Sequence, residues 1–315
     1  MSTDQIAYLV FGIVLIVALM LDLGLLSKKS TDVSMKKALL QTMLWVMLAF
    51  LFFGFLWIEN GHILALQYLS AYLMEWSLSI DNIFVFILIF SFFGVKQKYY
   101  ARALLIGIMM AIVLRIIFIS IGIELIERFH WLLYVFGAII LYTGIKMFTA
   151  KHEEEANIAD NPVYKLLVRW FPLTTDEAGG KFTTIKDGKR YYTSMFVVII
   201  MLATTDIIFA LDSIPAVFAI SQDPLVIYTS NIFAVLGLRS LFFLLKGAVN
   251  KFLYLQQGIA VVLIFIGLKM LAEMFHLAIP VYISLLVIVF CISSSIFYSI
   301  YRSKKLPRQV VHLKD

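Results

Sequence analysis

Long apolar runs joined by short polar segments define the chain. Nine runs of mainly apolar residues, at 6–26, 37–58, 66–93, 102–123, 131–149, 194–220, 225–247, 254–273 and 279–300, each have about the length that carries an α-helix across a bilayer core. The pattern predicts an all-α, polytopic membrane protein with about nine transmembrane helices. The longest polar interval, 150–193, holds seven acids and seven bases, including the run HEEE at 152–155. Within it, KFTTIKDGKRYYT reads as a hairpin turning at Asp187-Gly188, in a charge-balanced cytoplasmic loop.

Composition removes the soluble alternative. Hydrophobic residues make up 62% of the 315, charged residues 15%, and the mean hydropathy is +0.94, far beyond a soluble domain. The one cysteine, Cys291, falls inside the last run, so neither a disulfide framework nor a cysteine-based metal site is available. The first run has no basic residues before it and no small-residue cleavage site after it, and reads as a retained span. With the N-terminus outside, the inner segments hold four Lys/Arg at 27–37, three at 94–102, seven at 150–193, two at 246–251 and five after 300, against Arg128 alone in the outer segments. This bias orients the chain N-out and C-in in the cell inner (plasma) membrane. The formal charge of +6 is then a cytoplasmic face turned to anionic lipid, with no nucleic-acid partner implied.

Four acids interrupt the apolar pattern. Glu75 and Asp81 lie in one run, Asp206 and Asp212 in another, with the same spacing, and each second acid precedes an oxygen-bearing side chain, Asn82 or Ser213. A carboxylate at the bilayer centre costs roughly 2.5–3.5 kcal/mol on insertion scales, so four imply a penalty on the order of 10 kcal/mol that a bound cation can offset. Each half continues with a mid-span arginine and a Gly-x-Lys-Met: Arg115 with GIKM at 144–147, Arg239 with GLKM at 267–270. Each unit contains an odd number of spans (66–149 and 194–273), so the second enters the membrane upside down. Two inverted three-helix repeats follow, and such folds place substrate near the midplane between repeats. The segments are then 1–62 (two helices), 63–149 (first repeat), 150–193 (loop), 194–273 (second repeat) and 274–315 (last helix and basic tail).

Oxygen ligands set the ion class. Glu75, Asp81, Asn82, Asp206, Asp212 and Ser213, supported by Ser79, Thr205 and Asn231, suit a hard or borderline divalent cation such as Mg²⁺, Ca²⁺ or Mn²⁺. All five histidines map to loops or tails, which argues against a buried zinc or copper site. On a straight helix, acids six residues apart point about 120° away from one another. Their convergence therefore predicts a break near Ser77 and Ser79, or near Pro215. Arg115 and Arg239 can offset surplus negative charge, or serve as ionic glue between helices. No HExxH, nucleophile elbow or P-loop is present, so the chain reads as a gradient-driven membrane protein without enzymatic chemistry.

The blocks EWSLSIDNIFVF, TTDIIFALDSIPAVFA and TSNIFAVLGLRSLFFLL closely resemble the TerC family of integral membrane proteins, its Alx-like members in particular, over roughly 37–300. Such proteins resemble LysE-type exporters and are associated with manganese export and with tellurite and alkaline-pH stress. The resemblance implies metal-ion transport, with manganese leaving the cytoplasm; protonation of the acids offers protons as a coupling ion. No cofactor is implied; Mn²⁺ or another hard divalent cation is the cargo. The alternative is a non-transporting membrane partner in stress response, or in the insertion or metallation of other proteins. One departure stands out: family members often carry a glutamate three residues before Asp206, where this chain has Ala203. The residues themselves are silent on the direction of transport and on oligomeric state.

Overall fold

The computed structural model describes residues 3–26, 34–149, 162–174, 180–186, 188–246, 254–275, 277 and 279–305. The HEEE run and the side chains of Asp81 and Asp212 lie outside the described residues. The order is α1 (Thr3–Leu26), α2 (Met35–Glu59), α3 (His62–Phe92), α4 (Tyr100–Arg128), α5 (Leu132–Thr149), α6 (Pro162–Trp170), β1 (Leu173–Thr174), β2 (Thr183–Lys186), β3 (Lys189–Thr193), α7 (Ser194–Phe218), α8 (Pro224–Leu245), α9 (Leu255–Glu273) and α10 (Val281–Lys305). Among the described residues eight helices, α2 to α5 and α7 to α10, are long and apolar enough to cross a membrane. The ninth expected crossing falls on α1, whose described apolar stretch, Gln5–Val17, is shorter than a crossing.

Helix ends follow local chemistry. Asp223 caps α8 by accepting from Leu225 N at 2.8 Å, with Pro224 at the first helical position, where a missing N–H costs nothing. Between α2 and α3 the chain reverses at Gly61, whose φ of 90° lies in the region that glycine adopts without steric cost. The polar segment between α5 and α7 holds the amphipathic α6 and a small sheet. There β2 pairs antiparallel with β3, Lys186 opposite Lys189, with Gly188 at φ 74° just before β3 and Asp187 outside the described residues, and β1 pairs parallel with β3.

Side chains such as Leu40, Ile58, Phe290 and Phe297 stand exposed on α2 and α10, as lipid-facing surfaces require. By contrast α8 is buried along nearly all its length. It packs among α2, α3 and α4. A helix enclosed in this way sits at the centre of the bundle and brings its polar residues to the interior.

The third helix of each half, α5 and α9, makes the tightest crossing. A Cβ on Gly144 would lie 2.8 Å from Ile264 N, and one on Gly267 would lie 2.7 Å from Leu141 N. The two contacts are reciprocal: Gly144 and Gly267 differ by the same number of positions as Leu141 and Ile264. Small residues let backbones approach where lipid offers no hydrophobic drive to associate. The Gly-x-Lys-Met motifs thus act through their glycines. Their lysines diverge, Lys146 being exposed while Lys269 is buried.

Candidate functional site

Two contacts fix the register of α3 against α7. Ser221 Oγ donates to Gln67 Oε1 at 2.9 Å, and Ser213 Oγ donates to Glu75 Oε1 at 3.3 Å. One residue number rises as the other falls by the same amount, so the helices run antiparallel. Continued along both helices, this register brings Asn82 level with Asp206. The acids of one helix are thereby matched to positions on the other. Both helices are continuous through the acid region, with Pro215 inside the last turns of α7. The break expected from the acid spacing does not occur; Glu75 and Asp206 are brought together between helices instead, through Arg115 of α4.

The described acids meet at Arg115. Helices α4 and α7 run parallel, since Gly107 abuts Leu202 and Gly122 abuts Phe218. Arg115 therefore starts about one turn beyond Asp206, and helical side chains lean toward the N-terminus, which carries the guanidinium back to it. There Nη2 donates to both Asp206 carboxylate oxygens at 3.0 Å, and Nε to Oδ2 at 3.2 Å. Nη1 donates to Glu75 Oε1, and to Asn231 Oδ1 of α8 at 3.0 Å. Asn231 is oriented by its own Nδ2, which donates to Ile227 O at 2.9 Å. Four helices, α3, α4, α7 and α8, thus converge on one cation.

Burial makes this network consequential. Glu75 and Asp206 are each 1% exposed and Arg115 is 2% exposed, so water satisfies little of the cluster. In this cluster two polar atoms have no hydrogen-bond partner among the described residues: Glu75 Oε2 and Ser79 Oγ, the latter one turn further along the same face of α3. Buried polar groups are almost always paired, and an orphan of this kind calls for an explanation. A cation coordinated by oxygen supplies one, since both atoms are ligands of the type Mg²⁺, Ca²⁺ and Mn²⁺ accept.

A model of the integral membrane protein TerC family matches residues 60–306 of the chain. The chain belongs to the TerC family. It is 42% identical over 292 residues to a Myxococcus xanthus protein described as uncharacterized membrane protein STKORF319, covering 93% of this chain and 91% of that one. To a Rickettsia bellii protein described as an uncharacterized membrane protein it is 39% identical over 303 residues, covering 96% and 100%. A Salmonella typhi protein named Alx, a candidate membrane-bound redox modulator by its description, is 42% identical over 285 residues, covering 87% and 88%. No solved structure matches the chain.

In this TerC-family chain the sequence-predicted residues divide into four groups. Glu75, Asp206, Ser213, Asn231 and Arg115 are joined by hydrogen bonds. Ser79, Asn82 and Thr205 are buried on the same two helices. Arg239 is buried two turns, about 12 Å, beyond Asn231 along α8. Asp81 and Asp212 have their backbones in α3 and α7, and their side chains lie outside the described residues. Among the described residues no three of His, Cys, Asp and Glu come together; the pair that does meet is bound by arginine.

Residue reasoning missed a polar cavity of about 340 Å³ near one end of α7, lined by Gln67, Ser221, Gln222, Lys269 and Glu273. Lys269 Nζ donates there to Ala219 O at 3.0 Å, meeting a carbonyl at the C-terminal end of α7. Its opening contact, Gln67 to Ser221, lies about 12 Å along the helices from the Glu75–Ser213 contact. The signal in the sequence was Glu273, one turn after Lys269 at the end of an apolar run.

Proposed function

We propose that the protein moves a divalent metal cation across the cell inner membrane through the acid-lined contact between α3 and α7, with manganese leaving the cytoplasm as its cargo. The observation that carries this reading is the pair of orphan oxygens, Glu75 Oε2 and Ser79 Oγ, beside two buried carboxylates. In a purely structural ion pair those atoms would cost about 1–3 kcal/mol each with nothing gained. As cation ligands they are accounted for. Asp81, Asn82, Asp212 and Thr205 would complete the oxygen shell as the cargo moves along the helices. The polar cavity at Gln67 and Lys269 would be the aqueous mouth on the side where α7 ends.

The reciprocal glycine contacts between α5 and α9 support the inverted-repeat arrangement, in which the two halves rock about a shared crossing. Protons serve as coupling ion in this reading, taken up by the acids as the metal departs. The name carried by the Alx relatives, a redox modulator, enters through the cargo. Cys291 is the chain's one cysteine, so no disulfide can form within the chain, while manganese itself changes oxidation state.

The test is Mn²⁺ flux into proteoliposomes carrying the full chain, with an internal metal-sensitive dye, for wild type, Glu75→Gln and Asp206→Asn. Saturable flux is expected in wild type, with a loss of at least about a hundredfold in either variant at unchanged folded yield. Equal flux in wild type and both variants would show that the acids hold helices together and carry no ion. No flux of Mn²⁺, Mg²⁺ or Ca²⁺ in inserted wild type would favour the non-transporting partner.

A further inference from the structure

Resting on the transport reading, we propose that Arg115 is the site's built-in occupant: its guanidinium holds the place of the metal cation, and cargo and arginine exchange on Glu75 and Asp206. Three observations carry this. Arg115 spends Nε, Nη1 and Nη2 on the two acids, engaging both oxygens of Asp206 and one of Glu75. These are the oxygens a metal between α3 and α7 would need. Among the described residues the unpartnered oxygens beside them, Glu75 Oε2 and Ser79 Oγ, are too few to hold a metal by themselves.

Shared oxygens make the two occupants exclusive. Both oxygens of Asp206 and Oε1 of Glu75 accept from the guanidinium in a site that is 1–2% exposed, and a metal coordinated by those same oxygens would take the places its N–H groups hold and repel its charge. The guanidinium must therefore leave its bidentate seat on Asp206 as metal arrives. Its second anchor offers a route, since Asn231 Oδ1 on α8 is neutral, remains held through Ile227 O, and can keep one N–H of the displaced group. A carrier of this kind never exposes bare carboxylates to the membrane interior between loads. Its affinity for cargo is set low enough for release by a competitor that cannot diffuse away.

The prediction runs opposite to that for structural glue. A resident that occupies the acids nine-tenths of the time lowers the apparent affinity for cargo about tenfold, so removing it raises affinity by that factor. Mn²⁺ binding is measured on the purified full chain by titration and by metal-dependent shift of the thermal unfolding midpoint, for wild type, Arg115→Gln and Arg115→Lys. Arg115→Gln is expected to bind Mn²⁺ at least about tenfold more tightly and to show the larger metal-induced midpoint shift. Arg115→Lys, which keeps the charge and loses the fork, is expected to fall between the two. If Arg115→Gln folds and binds no more tightly than wild type, the exchange is overturned while the transport reading stands. If Arg115→Gln does not fold, Arg115→Lys decides: tighter binding supports the exchange, and equal or weaker binding overturns it. If wild type neither binds nor moves Mn²⁺, the transport reading itself fails and this inference with it.

Discussion

The α3–α7 contact and the α5–α9 contact both join a helix of segment 63–149 to one of segment 194–273, and they are built from opposite materials. At α5–α9 the backbones touch through Gly144 and Gly267, with no room for a methyl group. At α3–α7 the contact is held by Arg115, Glu75, Asp206 and Ser213, with polar atoms left over. A backbone seam has one good arrangement and resists sliding. A charged seam can trade partners, because a mobile cation can replace a tethered one. The first suits a pivot and the second suits a place of exchange.

The largest effect is expected when the charged seam is opened on one side only. Asp206→Ala removes three hydrogen bonds from a guanidinium that is 2% exposed, and stranding a buried charge costs about 3–5 kcal/mol. Chemical unfolding in mixed micelles checks this. Replacing the whole cluster with Glu75→Met, Arg115→Met and Asp206→Leu should restore most of that stability, since apolar substitutes for buried ionic triads are often neutral or better. Flux should remain abolished. A triple variant as stable as wild type and still transporting would erase the distinction between the seams.

How far this contrast was legible from residues alone follows from the same physics. Acids in apolar runs stand out because membrane insertion penalises them one by one, so Glu75 and Asp206 announce themselves without a partner in view. The spans and the hairpin around Gly188 are equally local, set by run length and turn chemistry. Arg115's choice of Glu75 and Asp206 is not local. It depends on the parallel packing of α4 with α7 and the antiparallel packing of α3 with α7, neither of which spacing along one helix encodes. The same gap produced the expectation of a broken helix: spacing within one run says nothing of partners on other helices, and Glu75 meets Ser213 of α7 and Arg115 of α4 with α3 unbroken. The Gly-x-Lys-Met motifs were visible as a repeat through their lysines, whereas their glycines make the contact.

The backbone seam should yield next. Gly144→Val places a Cβ 2.8 Å from Ile264 N, and Gly267→Val one 2.7 Å from Leu141 N, so in each case a helix backbone must shift. Overpacking of this sort costs about 1–3 kcal/mol, and backbone obstruction places these variants near the upper end. The two substitutions act on one crossing, so their double variant should cost less than the sum. Mn²⁺ affinity should be nearly untouched in either single variant while flux falls, because the acids keep their partners as the pivot is displaced. A change in affinity as large as the change in flux would mean that the seams are one unit rather than two.

Ser213→Ala makes the smallest and most discriminating change. Ser213 Oγ donates to the Glu75 oxygen that also accepts from Arg115, so its removal takes one donor from a carboxylate that keeps another. A hydrogen bond to a charged group is worth about 1.5–3 kcal/mol at good geometry. At 3.3 Å the value should be nearer 1 kcal/mol. That loss is small enough to leave the fold intact and large enough to bias competition at Glu75. If Ser213 only steadies the ion pair, its loss should lower unfolding stability and leave Mn²⁺ affinity unchanged. If its oxygen is also offered to cargo, affinity should fall severalfold at the same stability cost, and Ser213→Thr, which keeps the hydroxyl, should recover it. The ratio of those two effects says how much of the charged seam is spent holding the helices and how much is reserved for the ion.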